Sequence, residues 1–218
     1  MTAPAPFTYK GHPVPYVTAW DSEHLTQPLV VPARDGIGFD AIAGYPHRDS
    51  AGVLWQPWAL RQGDGKPEYA RVHGPRQRRA MRRRLCQVCG GPSDANEQGR
   101  LWLLEDHRGQ PSWPEEEVTT HPPVCVTCVP LVLRLCPHMQ DAVAVRVGTV
   151  TVDGVYGQLY RPGTPLPLRA EKKVVFTGDF QMRWIVGAQL AATLHKCTVV
   201  DLAELGVEAP AVRAGARR

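Results

Sequence analysis

Two Cys-x-x-Cys pairs, Cys86/Cys89 and Cys125/Cys128, stand with 35 residues between them, and they constrain this chain more than any other feature. Thiolates are soft ligands, and four of them brought to one point make a tetrahedral site whose bonds to Zn²⁺ are about 2.3 Å long. The first pair is followed directly by Gly90 and Gly91. Glycine adopts positive φ without penalty, so the chain can turn there and aim its N–H groups at the sulfurs. The competing reading is a disulfide pair. Cys-x-x-Cys in a chain without an export signal more often binds metal or does redox work. A thioredoxin-like motif needs a strand before it and a long helix after it, and neither pair has that setting.

Downstream of the knuckle, Arg100-Leu101-Trp102-Leu103-Leu104 predicts a strand, and the second pair directly precedes the apolar run Pro130 to Leu135. Pro130 fits a helix only in its first turn, where no N–H is needed, and Pro137 stops that helix. Knuckle, hairpin and a helix carrying the second pair at its start resemble a treble-clef zinc finger over residues 84–138. The unpaired N–H groups of the helix start help to stabilise thiolates. An open site, in which Cys136 and His138 join one pair and leave a position for water, is the catalytic alternative. Four thiolates close the shell instead, and the closed site with Zn²⁺ on Cys86, Cys89, Cys125 and Cys128 is the favoured reading.

Charge is local. From Arg71 to Arg84 the chain carries seven arginines and no acid, and taking those seven from the 25 basic side chains leaves 18 against 21 acidic ones. A solvated helix face normally intersperses glutamate at i±4 to relieve such repulsion. Pro75 can start a helix on which Arg78, Arg79, Arg82 and Arg83 share one side, with Met81 and Leu85 turned toward the zinc module. The planar guanidinium fork matches phosphate oxygens, so Arg76, Arg78, Arg79, Arg82, Arg83 and Arg84 are the candidate nucleic-acid contacts. Pairing with Glu115, Glu116 and Glu117, or with a protein partner, is the competing use of these charges.

The remainder divides by composition. Residues 1–70 hold nine prolines and short apolar groups, and predict extended chain wrapping a core after a flexible start before Tyr9. Gly36-Ile37-Gly38-Phe39 lacks the third glycine of a dinucleotide loop and reads as a turn. After the 71–140 zinc segment, Val143, Val145 and Val147 alternate into a strand that Gly148 bulges. It continues to Asp153-Gly154, a type I′ hairpin signal with Val155 to Tyr160 returning. Lys173 to Phe176 is a third strand, and Asp179 to His195 is expected to be a helix with Phe180, Trp184, Gly187, Ala188 and Ala191 on its packed face. Cys197 to Val200 is a fourth strand, Asp201 and Glu204 have capping-box spacing before a turn ended by Gly206, and 207–218 is a flexible tail. The expected class is α+β: a four-cysteine zinc module joined to a small mixed domain over 141–206, with a loop-rich N-terminal segment.

Val14-Pro15-Tyr16-Val17-Thr18, Gly52-Val53-Leu54-Trp55, Arg76 to Met81, Cys86 to Gly90, His121 to Cys125 and Cys136-Pro137-His138 resemble a family of uncharacterised actinobacterial proteins. The resemblance spans most of residues 14–206 and implies one protein rather than a fusion, with no activity attached. No apolar run is long enough to cross a membrane and the N-terminus has no charged and apolar leader, so a cytoplasmic location is expected. The function expected is a zinc-stabilised binding or regulatory protein whose ligand is nucleic acid. Two alternatives stand beside it. Asp106-His107, between the cysteine pairs, resembles the start of a His-Me finger nuclease of the HNH type, in which a histidine activates water and a divalent metal holds the phosphate. Val129 and Pro130 occupy the positions where such fingers carry Asn or His, so His121 and His138 would have to substitute. The other alternative is a protein–protein interaction module.

Overall fold

The computed structural model describes residues 6–40, 48–136, 139 and 141–207. Residues 1–5 of the flexible start expected before Tyr9, the helix stop at Pro137, the His138 ligand and the tail from residue 208 onward lie outside the described residues, while Phe7 and Thr8, read as part of that start, stand in a strand instead. Strand dominates the chain, with two α-helices among the described residues.

The frame is a seven-stranded sheet built on two long neighbours, β11 (Val143–Arg161) and β13 (Ile185–Val200), which pair antiparallel. The other edge of β11 is shared. Val143 to Val147 pairs with β9 (Gly99–Leu104), itself paired with β8 (Ala95–Asn96), and Gly154 to Arg161 pairs with β12 (Leu168–Phe176). The other edge of β13 takes β10 (Val118–Thr119) antiparallel and β6 (Leu54–Trp55) parallel. Strands from the N-terminal, cysteine-bearing and C-terminal segments therefore share one sheet. Successive side chains of a strand point to opposite faces. Leu101, Leu103 and Ala144 thus join the cysteines in one core cluster, whereas Trp102, Leu104, Val143, Val145 and Val147 form another with Leu194.

The described residues before His73 form short pairings: β1 (Phe7–Tyr9) with β2 (His12–Val14), β3 (Thr18–Trp20) with β7 (Pro67–Val72), and β4 (Val30–Ala33) with β5 (Gly36–Phe39). Gly36 to Phe39, read as a turn, is instead the buried strand β5, with the turn immediately before it. Tyr16 and Val17 donate their N–H groups to the carbonyls of Val88 and Gln87, which ties the segment to the cysteine knuckle.

Two C-terminal expectations are corrected. Asp179 to His195 is not a helix. A single 3₁₀ turn, Phe180–Trp184, leads into β13. From Ile185 to Leu194, β13 is covered on both faces, with its second edge paired at Val186–Gly187 and Ala192–Thr193, so its apolar residues run together rather than alternate, and such a run cannot be told from a buried helix by periodicity alone. Gly187, counted toward the helix face, lies under the Trp55 ring, where a Cβ would sit 2.8 Å from ring carbons. Nor is Asp153-Gly154 a hairpin turn. β11 runs through it, and the reversal comes at the 162–167 loop, with β12 as the returning strand. Gly154 is crowded by Val174 and Ala191, and the register slips between Thr151 and Gly154 rather than at Gly148. The carboxylate of Asp153 accepts from Thr193 Oγ1, so Asp153 pins neighbouring strands instead of capping a turn.

Candidate metal centre and arginine helix

The four cysteines converge. Their sulfurs all lie within 4.8 Å of one another, and Cys89 Sγ is 3.9 Å from Cys125 Sγ. A tetrahedron of four 2.3 Å bonds has edges of about 3.8 Å, so the spacing fits one metal ion at the centre. The first pair is held by a tight knuckle: Cys86 N–H donates to Gly91 O at 2.7 Å, Gly90 N–H to Cys86 O at 2.9 Å, and Val88 N–H points at Cys86 Sγ at 3.4 Å. Gly90 has φ of 72°, and a Cβ there would strike the Tyr16 ring at 2.8 Å, so both conformation and space require glycine. The second pair sits on a 3₁₀ turn, Val126–Cys128, that runs into α2 (Val129–Leu135), with Pro130 in its first turn as the sequence predicts. Asp94 N–H to Val124 O and Val124 N–H to Leu101 O lock the two halves together, each at 3.0 Å.

All four cysteines are buried, in a cluster with Val88, Val124, Leu133 and Ala144. Left to themselves the sulfurs cannot all ionise. A hydrogen bond from Cys128 brings the Cys86 thiol down to about 5, burial and the Cys86 charge push Cys125 up to about 12, and hydrogen bonding with Cys86 raises Cys128 further. Four thiolates in this volume require a cation between them, and the donor set fits one with a preference for sulfur. Cys136 caps α2 half-buried, outside the converging set.

The arginine helix, α1 (Gly74–Arg83), starts where Pro75 allows, with His73 as its N-cap and Arg84 in the left-handed conformation at its end. Its six candidate contacts separate sharply. Arg76 is buried and turned inward: its guanidinium grips Glu23 through two bonds of 2.5 and 2.6 Å and donates to Thr18 O at 2.7 Å. That corrects its assignment to a phosphate-facing stripe. Arg78 lies over the Trp55 ring, 4.2 Å from its centroid, and burial with the neighbouring Arg82 charge lowers it to about 10. Arg79, Arg82, Arg83 and Arg84 are exposed. Arg79 donates to the Tyr16 hydroxyl at 2.9 Å, and Arg82 stands 3.7 Å from Asp49. Glu115, proposed as an acidic partner, accepts instead from the N–H groups of Lys196 and Cys197.

Beside Arg84 a cleft of about 250 Å³ is lined by Arg100, Asn96 and Thr149. Burial and the Arg84 charge both lower Arg100, which bonds Ser93 rather than a carboxylate. Asp94, the nearby acid, pairs with Arg146. This second cation was missed from sequence, because it lies on a strand assigned only to the hairpin.

Glu23, His73 and Gln77 were also missed. Their partners lie up to 113 residues away, as with Gln77, whose side chain bonds Leu190 N–H, Leu190 O and Thr120 O. His107 stands on an exposed loop with Nε2 3.7 Å from Glu105, against the edge of Trp113. Among the described residues, the cysteines are the one group of three or more metal-ligating side chains that meet. His121 is exposed, and its carbonyl, not its ring, contacts the core by accepting from Trp102 Nε1 at 2.9 Å.

No family model, curated protein or solved structure matches the chain. No helix among the described residues is long and apolar enough to cross a membrane.

Proposed function

We propose that Cys86, Cys89, Cys125 and Cys128 hold one structural Zn²⁺ in a treble-clef-like finger, and that the finger presents α1 to nucleic acid in a cytoplasmic binding or regulatory protein. Four buried sulfurs at tetrahedral spacing support a closed site, with no position left for substrate. The order of knuckle, β8–β9 hairpin and α2 supports the finger topology. The nucleic-acid reading rests on one observation: Arg79, Arg82, Arg83 and Arg84 stand exposed along and just beyond the outer side of α1, with Asp49 the one carboxylate at ion-pair distance among the described residues. The Arg84 and Arg100 cleft extends that positive surface.

The geometry favours binding over cleavage, since His107 meets Glu105 and Trp113 rather than a ligand cluster. Four phosphates neutralised on duplex DNA give a slope of log K against log salt of about −3.6. Fluorescence anisotropy with duplex and single-stranded probes measures it. Alanine at Arg79, Arg82, Arg83 and Arg84 together should flatten the slope and leave the fold intact, because these side chains bear on solvent. Absence of binding to either probe at low salt would refute the nucleic-acid reading and favour a protein partner.

A further inference from the structure

At the far end of β11 from the cysteines lies a cavity of about 610 Å³, walled by Leu159, Tyr160, Arg161, Arg169, Phe180 and Trp184. Its size falls in the range of small-molecule sites, about 300–1,000 Å³. One wall is the 3₁₀ turn Phe180–Trp184, and that turn is fixed at both ends. The Asp179 carboxylate accepts from Gln181 N–H at 2.8 Å. The Arg48 guanidinium donates to Arg183 O at 2.8 Å and to Met182 O at 3.4 Å, and its remaining reach is spent on Ile37 O and Gly52 O. Trp184 packs against two core clusters at once. A rigid turn thus holds Phe180 73% exposed beside the cavity, where packing does not account for the ring.

The charged members of the cavity have the complementary feature. Arg161 and Arg169, on adjoining strands, form no ion pair among the described residues, while Glu171 is 3.9 Å from Lys173. Exposed aromatic faces stack flat heterocycles, and unpaired guanidiniums bind phosphate. Glu171 and Gln181 at the same cavity supply an acceptor and an amide for the edge of a base.

We propose that this cavity is a nucleotide site, with the base stacked against Phe180 and Trp184 and the phosphate on Arg161 and Arg169. The site is separate from α1 and stands whether or not the α1 reading does. The same chemistry comes from a free mononucleotide or from the phosphorylated end of a strand.

Calorimetric titration of the full chain with GMP, 5′-phosphorylated GpGpG, guanosine and inorganic phosphate tests it. GMP should bind, and guanosine or phosphate alone should bind at least about tenfold more weakly. Phe180→Ala should weaken GMP about ten- to hundredfold, the loss expected for one stacking ring, and Phe180→Tyr should retain it. Arg161→Ala with Arg169→Ala should weaken GMP to the level of guanosine, and Arg108→Ala, on a loop where that side chain bonds Asp106, should leave GMP binding unchanged. Tighter binding of the trinucleotide that is lost in Phe180→Ala identifies a strand end at this cavity, and equal binding a free nucleotide. All these side chains are exposed or half-buried, so unaltered circular dichroism is expected of each variant. Failure of both GMP and the trinucleotide to bind at millimolar concentration, or binding that survives Phe180→Ala and the arginine pair alike, would overturn the proposal.

Discussion

Glu23→Gln should strand the buried Arg76 guanidinium and cost the chain much of its stability. The Glu23 carboxylate has no exposure, and it accepts two bonds from Arg76, one from Trp20 N–H at 2.9 Å and one from Arg61 N–H at 3.3 Å, with His73 Nε2 3.6 Å away. A glutamine keeps the volume but removes the charge, leaving the Arg76 guanidinium buried without a counter-ion. Breaking such a pair costs about 3–5 kcal/mol, a large part of the roughly 5–15 kcal/mol that holds a domain folded. With a urea slope of about 3 kcal/mol/M, the midpoint should fall by about 1–2 M. Arg76→Met added to Glu23→Gln should cost little more, or restore stability, because it removes the stranded charge. Burial alone would raise Glu23 above its ordinary 4.5, but the Arg76 and Trp20 hydrogen bonds outweigh it and leave the group lowered. Its contribution is therefore complete above that ordinary value and lost as pH falls through the folded value. The gap between wild type and variant should be widest at neutral pH and close in acid. A loss under about 1 kcal/mol at pH 7, or a gap that widens in acid, would show that Arg76 does not depend on this carboxylate.

Gln77→Leu should strand the Leu190 N–H inside the sheet, cost about 1–3 kcal/mol and speed hydrogen exchange at that amide; unchanged exchange would remove the argument. Burial keeps His73 neutral, with Nδ1 accepting from Arg76 N–H and Nε2 bonded to Ala59 O. Because its folded pKa is lowered, wild-type stability should begin to decline as pH falls below the ordinary 6.5, and a His73 carbon signal that titrates at or above 6.5 by NMR would contradict this. Purified wild type and His107→Ala, prepared identically, should both leave plasmid DNA intact with Mg²⁺ or Mn²⁺; cleavage by the first alone would put the nuclease reading in place of the binding one.

What the sequence made legible was local. The cysteine pairs, the glycine after the knuckle, Pro75 and Pro130 at helix starts and the Arg100 to Leu104 strand each carry their signal within a few residues, and each appears where expected. The failures came where distant chain decides. Residues 185–195 read as a helix because two covered faces erase strand alternation over most of that run, and only β6, β10 and β11 around it make it a strand, whereas Cys197 to Val200 was legible as strand. The arginine stripe looked uniform because helical spacing places side chains on a face without saying what lies against it. Glu23, 53 residues upstream, claims Arg76, and Trp55 covers Arg78. Asp153-Gly154 carries the dipeptide of a tight turn, yet its glycine serves close packing against Val174 and Ala191.

The proposed function rests on a metal ion held by the four converging cysteines. A structural zinc contributes on the order of 10–16 kcal/mol in finger peptides, more than most domains have in reserve, so Cys86→Ser or Cys128→Ser should fail to fold. The direct measurement is native mass spectrometry of the purified chain with elemental analysis of the same sample. One zinc per chain, with four cysteines protected from alkylation until the protein unfolds, is the expected result. A folded chain that holds no metal, with Cys86, Cys89, Cys125 and Cys128 joined in disulfides or freely alkylated, would contradict it.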